Sequence, residues 1–160
     1  MKTTKIVLKS LVVLGAALTL VACGSKKEAA STPSSAAKTA VLKDGTYKSE
    51  SGKDKHGYKI VHTLTVKDGK ISESKFDYQA EDGSLKSTNE EYNKNMKYKA
   101  GVSAGEAIEK LNAALVAKQE LSAVEVVSGA THTSEDFKKS TEALLKAAAE
   151  GKTETVKLDK

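Results

Sequence analysis

Tyr58-Lys59-Ile60-Val61-His62-Thr63-Leu64-Thr65-Val66 alternates without a break: Tyr58, Ile60, His62, Leu64 and Val66 share one face, with Lys59, Thr63 and Thr65 among those opposite. Strand side chains point to opposite faces in turn, so this period of two predicts a half-buried strand. Lys67-Asp68-Gly69-Lys70 reads as a hairpin turn, and 71–78 as the returning strand. Register here is all or nothing, because a slip of one residue turns every side chain over. A two-residue loop sets Leu64 opposite Glu73 and Ile60 opposite Asp77, with charge on the apolar face. A three-residue loop, with Gly69 in the left-handed position of a bulge, pairs Ile60 with Phe76 and Tyr58 with Tyr78, and is the expected register.

Working outward, Asp44-Gly45 reads as a turn, 46–49 as a short strand and 51–55 as a polar loop. Thr88-Asn89-Glu90-Glu91 is a capping-box pattern for a short helix reaching about Met96. Ser103-Ala104-Gly105-Glu106 is a second, for a helix to about Lys118 with Ala104, Ile108, Leu111 and Leu115 on one stripe. A short strand is expected over 124–127. Thr133 is then expected to cap a last helix that buries Phe137, Thr141, Leu144, Leu145 and Ala148 and stops at Gly151. The segment 153–158 reads as an edge strand. No internal repeat is visible, and 41–160 is expected to fold as one α+β domain, a small antiparallel sheet with three helices.

The first 22 residues have the layout of an export signal: Lys2, Lys5 and Lys9 at the head, then an unbroken apolar run over 11–21, too short to span a bilayer comfortably. Leu20-Val21-Ala22-Cys23 resembles a bacterial lipobox, which implies cleavage before Cys23 and acylation (palmitate) of its sulfur. Cys23 is the single cysteine, so no internal disulfide is available. Residues 23–40 are rich in Ser, Ala and Lys, hold the only proline, Pro33, and read as a flexible tether of roughly 20 Å root-mean-square span. Subtracting the three signal lysines from the net charge of +5 leaves +2. Every one of the 26 basic residues is Lys. Without the planar fork of Arg, and with the lysines scattered among acids, a nucleic-acid partner is not expected.

Val127-Ser128-Gly129-Ala130-Thr131-His132-Thr133-Ser134 crowds small residues and hydroxyls ahead of the last helix. One reading is a helix cap behind a glycine turn. The other is an anion site, where helix amides lie unpaired and Gly129 and Ala130 admit a close approach. His132 is expected to face solvent and His56 to lie in a loop. His62 is either a satisfied core histidine or a neighbour of a bound ring, the core being preferred. The three histidines lack metal-ligand spacing, and no metal site is expected.

Glu125-Val126-Val127-Ser128-Gly129-Ala130-Thr131 resembles the flavinylation motif of the FMN-binding domain family, acidic-x-x-Ser/Thr-Gly-Ala-Thr, often continued by Thr-Ser. Asp is the family's usual first residue, and Glu125 stands in its place. Gly57 and Asp68-Gly69-Lys70-Ile71 resemble a softer part of the pattern, and the likeness covers most of 45–151. The resemblance implies FMN held by a phosphoester to Thr131, with Ser128, Gly129, Ala130, Thr133 and Ser134 around it and Glu125 as the motif acid. It implies no catalytic residue in this chain, because a separate flavin transferase, using FAD and a divalent metal, makes the bond. Glu135 and Asp136 are expected to face solvent, away from the phosphate. A flavin ring needs an apolar wall, for which Tyr58, Tyr78, Tyr92, Met96 and Tyr98 are the candidates.

The resemblance implies a monomeric electron carrier, lipid-anchored through Cys23 to the outer face of the cell membrane, of Gram-positive type on compositional grounds. Electrons would come from a quinol or a membrane dehydrogenase and pass to an extracellular acceptor such as ferric iron. The alternative is a non-redox surface lipoprotein that binds a ligand or partner. Either is compatible with a peptide signal derived from the signal peptide.

Overall fold

The structure, a computed structural model, describes residues 41–159; the signal segment, Cys23 and the tether lie outside the described residues. Four strands and three α-helices follow in the order β1 (Gly45–Ser51), β2 (Lys59–Lys67), β3 (Lys70–Gln79), α1 (Glu90–Ala100), α2 (Ala104–Lys118), α3 (Thr131–Glu150) and β4 (Val156–Leu158). The sheet order is β3-β2-β1-β4. The first three strands are antiparallel, as expected, while β4 is an edge strand lying parallel to β1. Helices α2 and α3 pack on the sheet, α2 along β3 and α3 across β1 and β2. Between the layers lie Tyr47, Leu64, Phe76, Leu111, Leu115, Phe137 and Leu144, all essentially buried. The fold is α+β, as the sequence pattern implies.

The alternation read in β2 is present: Ile60, His62, Leu64 and Val66 are buried. The expected hairpin register is not. Asp68 and Gly69 both take left-handed dihedrals, φ 52° and 71°, and form a two-residue turn between paired Lys67 and Lys70. The Asp44 carboxylate braces it, accepting from the amides of Asp68 and Gly69 at 2.9 Å each. Val66 faces Ile71 but Thr65 faces Glu73, so Ser72 is the extra residue of a bulge. Beyond it Leu64 meets Ser74, His62 meets Phe76 and Ile60 meets Tyr78. The bulge resolves the conflict that counted against the tight turn, because it shifts β3 by one residue and so brings Phe76 and Tyr78 onto the apolar face of β2.

Of the expected helix-end signals, the Ser103 box and the Gly151 stop are present. The Ser103 and Glu106 side chains cap each other's amides in a capping box, and α2 buries Ala104, Ala107, Ile108, Leu111 and Leu115. α3 ends at Gly151 in the left-handed conformation, as expected. For α1 the expected Thr88 box is absent. Thr88 belongs to a 3-10 turn, Lys86–Thr88, and Asn89 is the cap, accepting from Tyr92 N; the helix continues to Ala100 rather than ending near Met96. Segment 124–127 is irregular chain and not a strand, reached through the 3-10 turn Leu121–Ala123.

β3 ends one side of the sheet, and two amide side chains, Asn112 on α2 and Gln119 at its C-terminal cap, occupy its open edge. Asn112 Oδ1 accepts from Phe76 N at 2.9 Å and Nδ2 donates to Phe76 O at 3.2 Å. Gln119 does the same at Ile71, at 2.8 and 2.7 Å. Each carboxamide replaces a missing strand neighbour and blunts the edge. Asn112 is half-buried and also accepts from Ser74 Oγ, whereas Gln119 is exposed and water can take its place. Asn112→Leu is therefore expected to lower unfolding free energy by about 2–3 kcal/mol and Gln119→Leu by under about 1 kcal/mol. Urea midpoints with an unchanged denaturant slope read both; equal losses would refute the assignment.

Candidate functional site

The loop into α3 is pinned at both ends. Val124 is buried in the main core, and Ala130 is buried against Val102 and Ala107. Between them Glu125, Val126, Ser128 and Gly129 are exposed. Ala130 N donates to Val127 O at 2.9 Å, closing a turn in which Gly129 has φ 79°. Ser134 Oγ ties the loop to the helix, accepting from Val127 N and donating to Ala130 O, both at 3.0 Å. A Cβ on Gly129 would stand 2.3 Å from Ala100 O and 3.1 Å from Val102 Cγ1. Gly129 and Ala130 thus answer to shape, the one under the end of α1 and the other in a small apolar pocket. Ser128 and Thr131 are left facing outward.

α3 begins at Thr131, three residues before the expected start at Ser134, with Ala130 in the cap position and no side-chain cap. Thr133 is not the cap: it is buried in the first turn, beside the Tyr78 hydroxyl. The first amides of a 20-residue helix, and the positive end of its dipole, therefore lack a side-chain acceptor, and the exposed Thr131 hydroxyl stands at that end.

Glu135 is exposed, as expected, but Asp136 is turned inward. Its Oδ2 accepts from Tyr78 Oη at 2.7 Å and lies 3.4 Å from His132 Nε2. The phenol needs that acceptor because Tyr78 is only 5 % exposed. Burial raises the Tyr78 pKa far above its ordinary value, and the hydrogen bond and charge of Asp136 raise it further, so the hydroxyl stays protonated. His132 is exposed, and His56 lies in the loop, both as expected. His62 is a core residue, 1 % exposed, with Ser140 Oγ at 2.9 Å from Nδ1 and Ser74 Oγ at 3.0 Å from Nε2.

Three of the candidate ring-lining residues come together. Tyr58, Tyr78 and Tyr92 surround the Lys86 ammonium, whose Nζ lies 5.2, 4.6 and 4.7 Å from their ring centroids. They wall a cleft of about 770 Å³ that His132 and Asp136 also line, next in sequence to Thr131. Met96 is not among them: it packs beneath the loop, against Val102, Ala107 and Ala130. Tyr98 is 91 % exposed and lines none of this cleft. A smaller hollow of about 430 Å³ takes in Val127 and Ser128 with Lys97 and Lys110, and has no aromatic wall. A third, of about 580 Å³ near Val61, Asp77 and Ile108, contains no residue of 125–134.

Sequence reasoning missed Lys86 and Asp136. The spacing of His132 and Asp136, one helical turn apart, was a usable signal for the second. Nothing local to Leu85-Lys86-Ser87 signals the first, because its three tyrosines come from β3, α1 and the loop before β2.

The family model for the FMN-binding domain matches residues 56–146. The chain is similar to the "15 kDa lipoprotein" of Treponema pallidum (strain Nichols), 32 % identical over 116 residues, which are 72 % of this chain and 82 % of that one. It is also similar to a protein of Clostridium perfringens with a known crystal structure, 41 % identical with a TM-score of 0.69, over 74 % of this chain and 99 % of that one. Matched over more than half its length, with its fold shared at that identity, the chain belongs to the FMN-binding domain family, and FMN is its cofactor.

Proposed function

We propose that FMN is attached through a phosphoester to Thr131, and that the protein is a lipid-anchored electron carrier on the outer face of the cell membrane. The observation that carries the first part is the exposed Thr131 hydroxyl at the uncapped start of α3. A phosphate there lies within reach of the first helix amides and the positive dipole end. The inward turn of Asp136 removes one carboxylate that would oppose it. The ring finds its wall in the aromatic cleft rather than in the hollow beside Ser128, which offers lysines but no ring. When bound, FMN supplies the redox chemistry.

His132 is the nearest candidate base, and it is exposed and directed to Asp136 rather than held on the threonine. A threonine hydroxyl without an activating base is a poor nucleophile, which suits attachment by an external flavin transferase. Glu125, exposed on the same loop, is within that enzyme's reach. Anchoring through acylated Cys23 rests on the lipobox-like 20–23 and is supported by a relative named as a lipoprotein. The donor is proposed to be a quinol or membrane dehydrogenase, and the acceptor an extracellular oxidant such as ferric iron.

Co-expression of the full chain with a flavin transferase, followed by intact-mass measurement, tests the attachment. Wild type is expected to gain one FMN moiety and Thr131→Ala none. An adduct that persists in Thr131→Ala moves the site elsewhere. Its absence from wild type leaves a ligand-binding lipoprotein without covalent flavin.

A further inference from the structure

We infer that Lys86 sets the reduction potential of the bound flavin, holding an ammonium fixed against the aromatic wall of the cleft; this rests on the attachment at Thr131 proposed above. Three ring faces point their negative quadrupoles at one Nζ, at 4.6 to 5.2 Å from the centroids. The rings come from separate elements and converge on the side chain. Such a lysine is not a waving surface charge. It is half-buried, positioned by its cage, and within the cleft that begins one residue from Thr131.

Two-electron reduction of a neutral oxidised flavin consumes two electrons and one proton and leaves one negative charge on the ring. A cation that is already in place favours the reduced form by Coulomb attraction, with no reorganisation at the moment of transfer. The other cleft lysines are differently placed. Lys53, for example, pairs with exposed Glu81 at 2.8 Å, where water and salt screen it.

The test uses the full chain, co-expressed with a flavin transferase and checked for its adduct by intact mass, then titrated with dithionite against a reference dye. Lys86→Met is expected to lower the reduced-to-oxidised ratio at a fixed potential about tenfold, about 30 mV for a two-electron couple. Lys86→Gln, a second neutral variant, is expected to match it. Lys86→Arg and Lys53→Met are expected to stay within about twofold of wild type, and the Lys86→Met difference to persist at high salt. Loaded neutral variants with the wild-type potential would overturn the inference, as would a Lys53→Met shift equal to that of Lys86→Met. A wild-type chain without adduct would refute the attachment itself, a distinct result that removes this inference with it.

Discussion

Gly129→Ala is expected to lower the unfolding free energy by about 3–4 kcal/mol, and Gly57→Ala by only about 1 kcal/mol. The two glycines share nearly the same left-handed φ, 79° and 82°, which an added methyl disfavours at both. They differ in surroundings. Around Gly57 there is nothing within 4 Å of the new Cβ, whereas at Gly129 it would be 2.3 Å from Ala100 O. That oxygen belongs to the last residue of α1 and cannot rotate away as a side chain would. Either α1 or the loop must shift, and Ala130, seated against Val102 and Ala107, must shift with the loop. Denaturant unfolding of both variants reads the difference. Equal losses would mean that backbone conformation alone matters and that the close approach to α1 is relaxed in solution. The same variant is expected to impair flavinylation, because the turn that presents Thr131 is the part displaced.

This pair also separates the motif into kinds of requirement. Gly129 and Ala130 are small because α1 and α2 lie close, and Ser134 is a hydroxyl because it ties Val127 to Ala130. Ser128 and Thr131 meet none of these needs and stand exposed. A motif that reads as one signature in the sequence is thus part scaffold and, under the attachment proposed at Thr131, part chemistry.

Features carried by neighbours in the chain were legible in the sequence. The alternation of β2, the Ser103 to Glu106 box and the Gly151 stop depend on residues a few positions apart. The failures come from contacts between distant segments. The bulge at Ser72 is fixed by which residues of β2 and β3 must face the helices, a demand invisible in a hairpin taken alone. Thr133 has the composition of a cap, but Tyr78 and the core draw it inward, and the helix starts at Thr131 without one. The stretch 124–127 reads as a strand by composition, yet β4 takes the sheet edge beside β1, and 124–127 joins no strand. The Lys86 cage is the extreme case, built from three separate elements.

Acid is expected to begin destabilising this domain below about pH 6.5, before its carboxylates titrate, because of His62. Burial lowers the His62 pKa from 6.5 to about 3. The hydrogen bonds do not oppose protonation: a neutral ring donates to one serine and accepts from the other, and a charged ring could donate to both, since each hydroxyl has another acceptor, Phe137 O or Asn112 Oδ1. The cost is the placement of a charge between Phe76 and Phe137, whose centroids lie 5.5 and 5.3 Å from the imidazole. Since the folded pKa is depressed, the unfolded chain binds the extra proton first. Stability is therefore complete above pH 6.5 and falls as pH drops through the window down to about 3, by roughly 4–5 kcal/mol at its acid end. Between pH 6.5 and 5.5 ordinary carboxylates are still ionised, so the slope there belongs to histidine. His62→Gln keeps one of the ring's hydrogen-bonding positions and removes the titration. It is expected to be less stable than wild type at pH 7, with a flatter stability profile between pH 6.5 and 5.5. Urea midpoints across that range decide the matter, and a wild-type slope that survives unchanged in His62→Gln would assign the acid limb to another group.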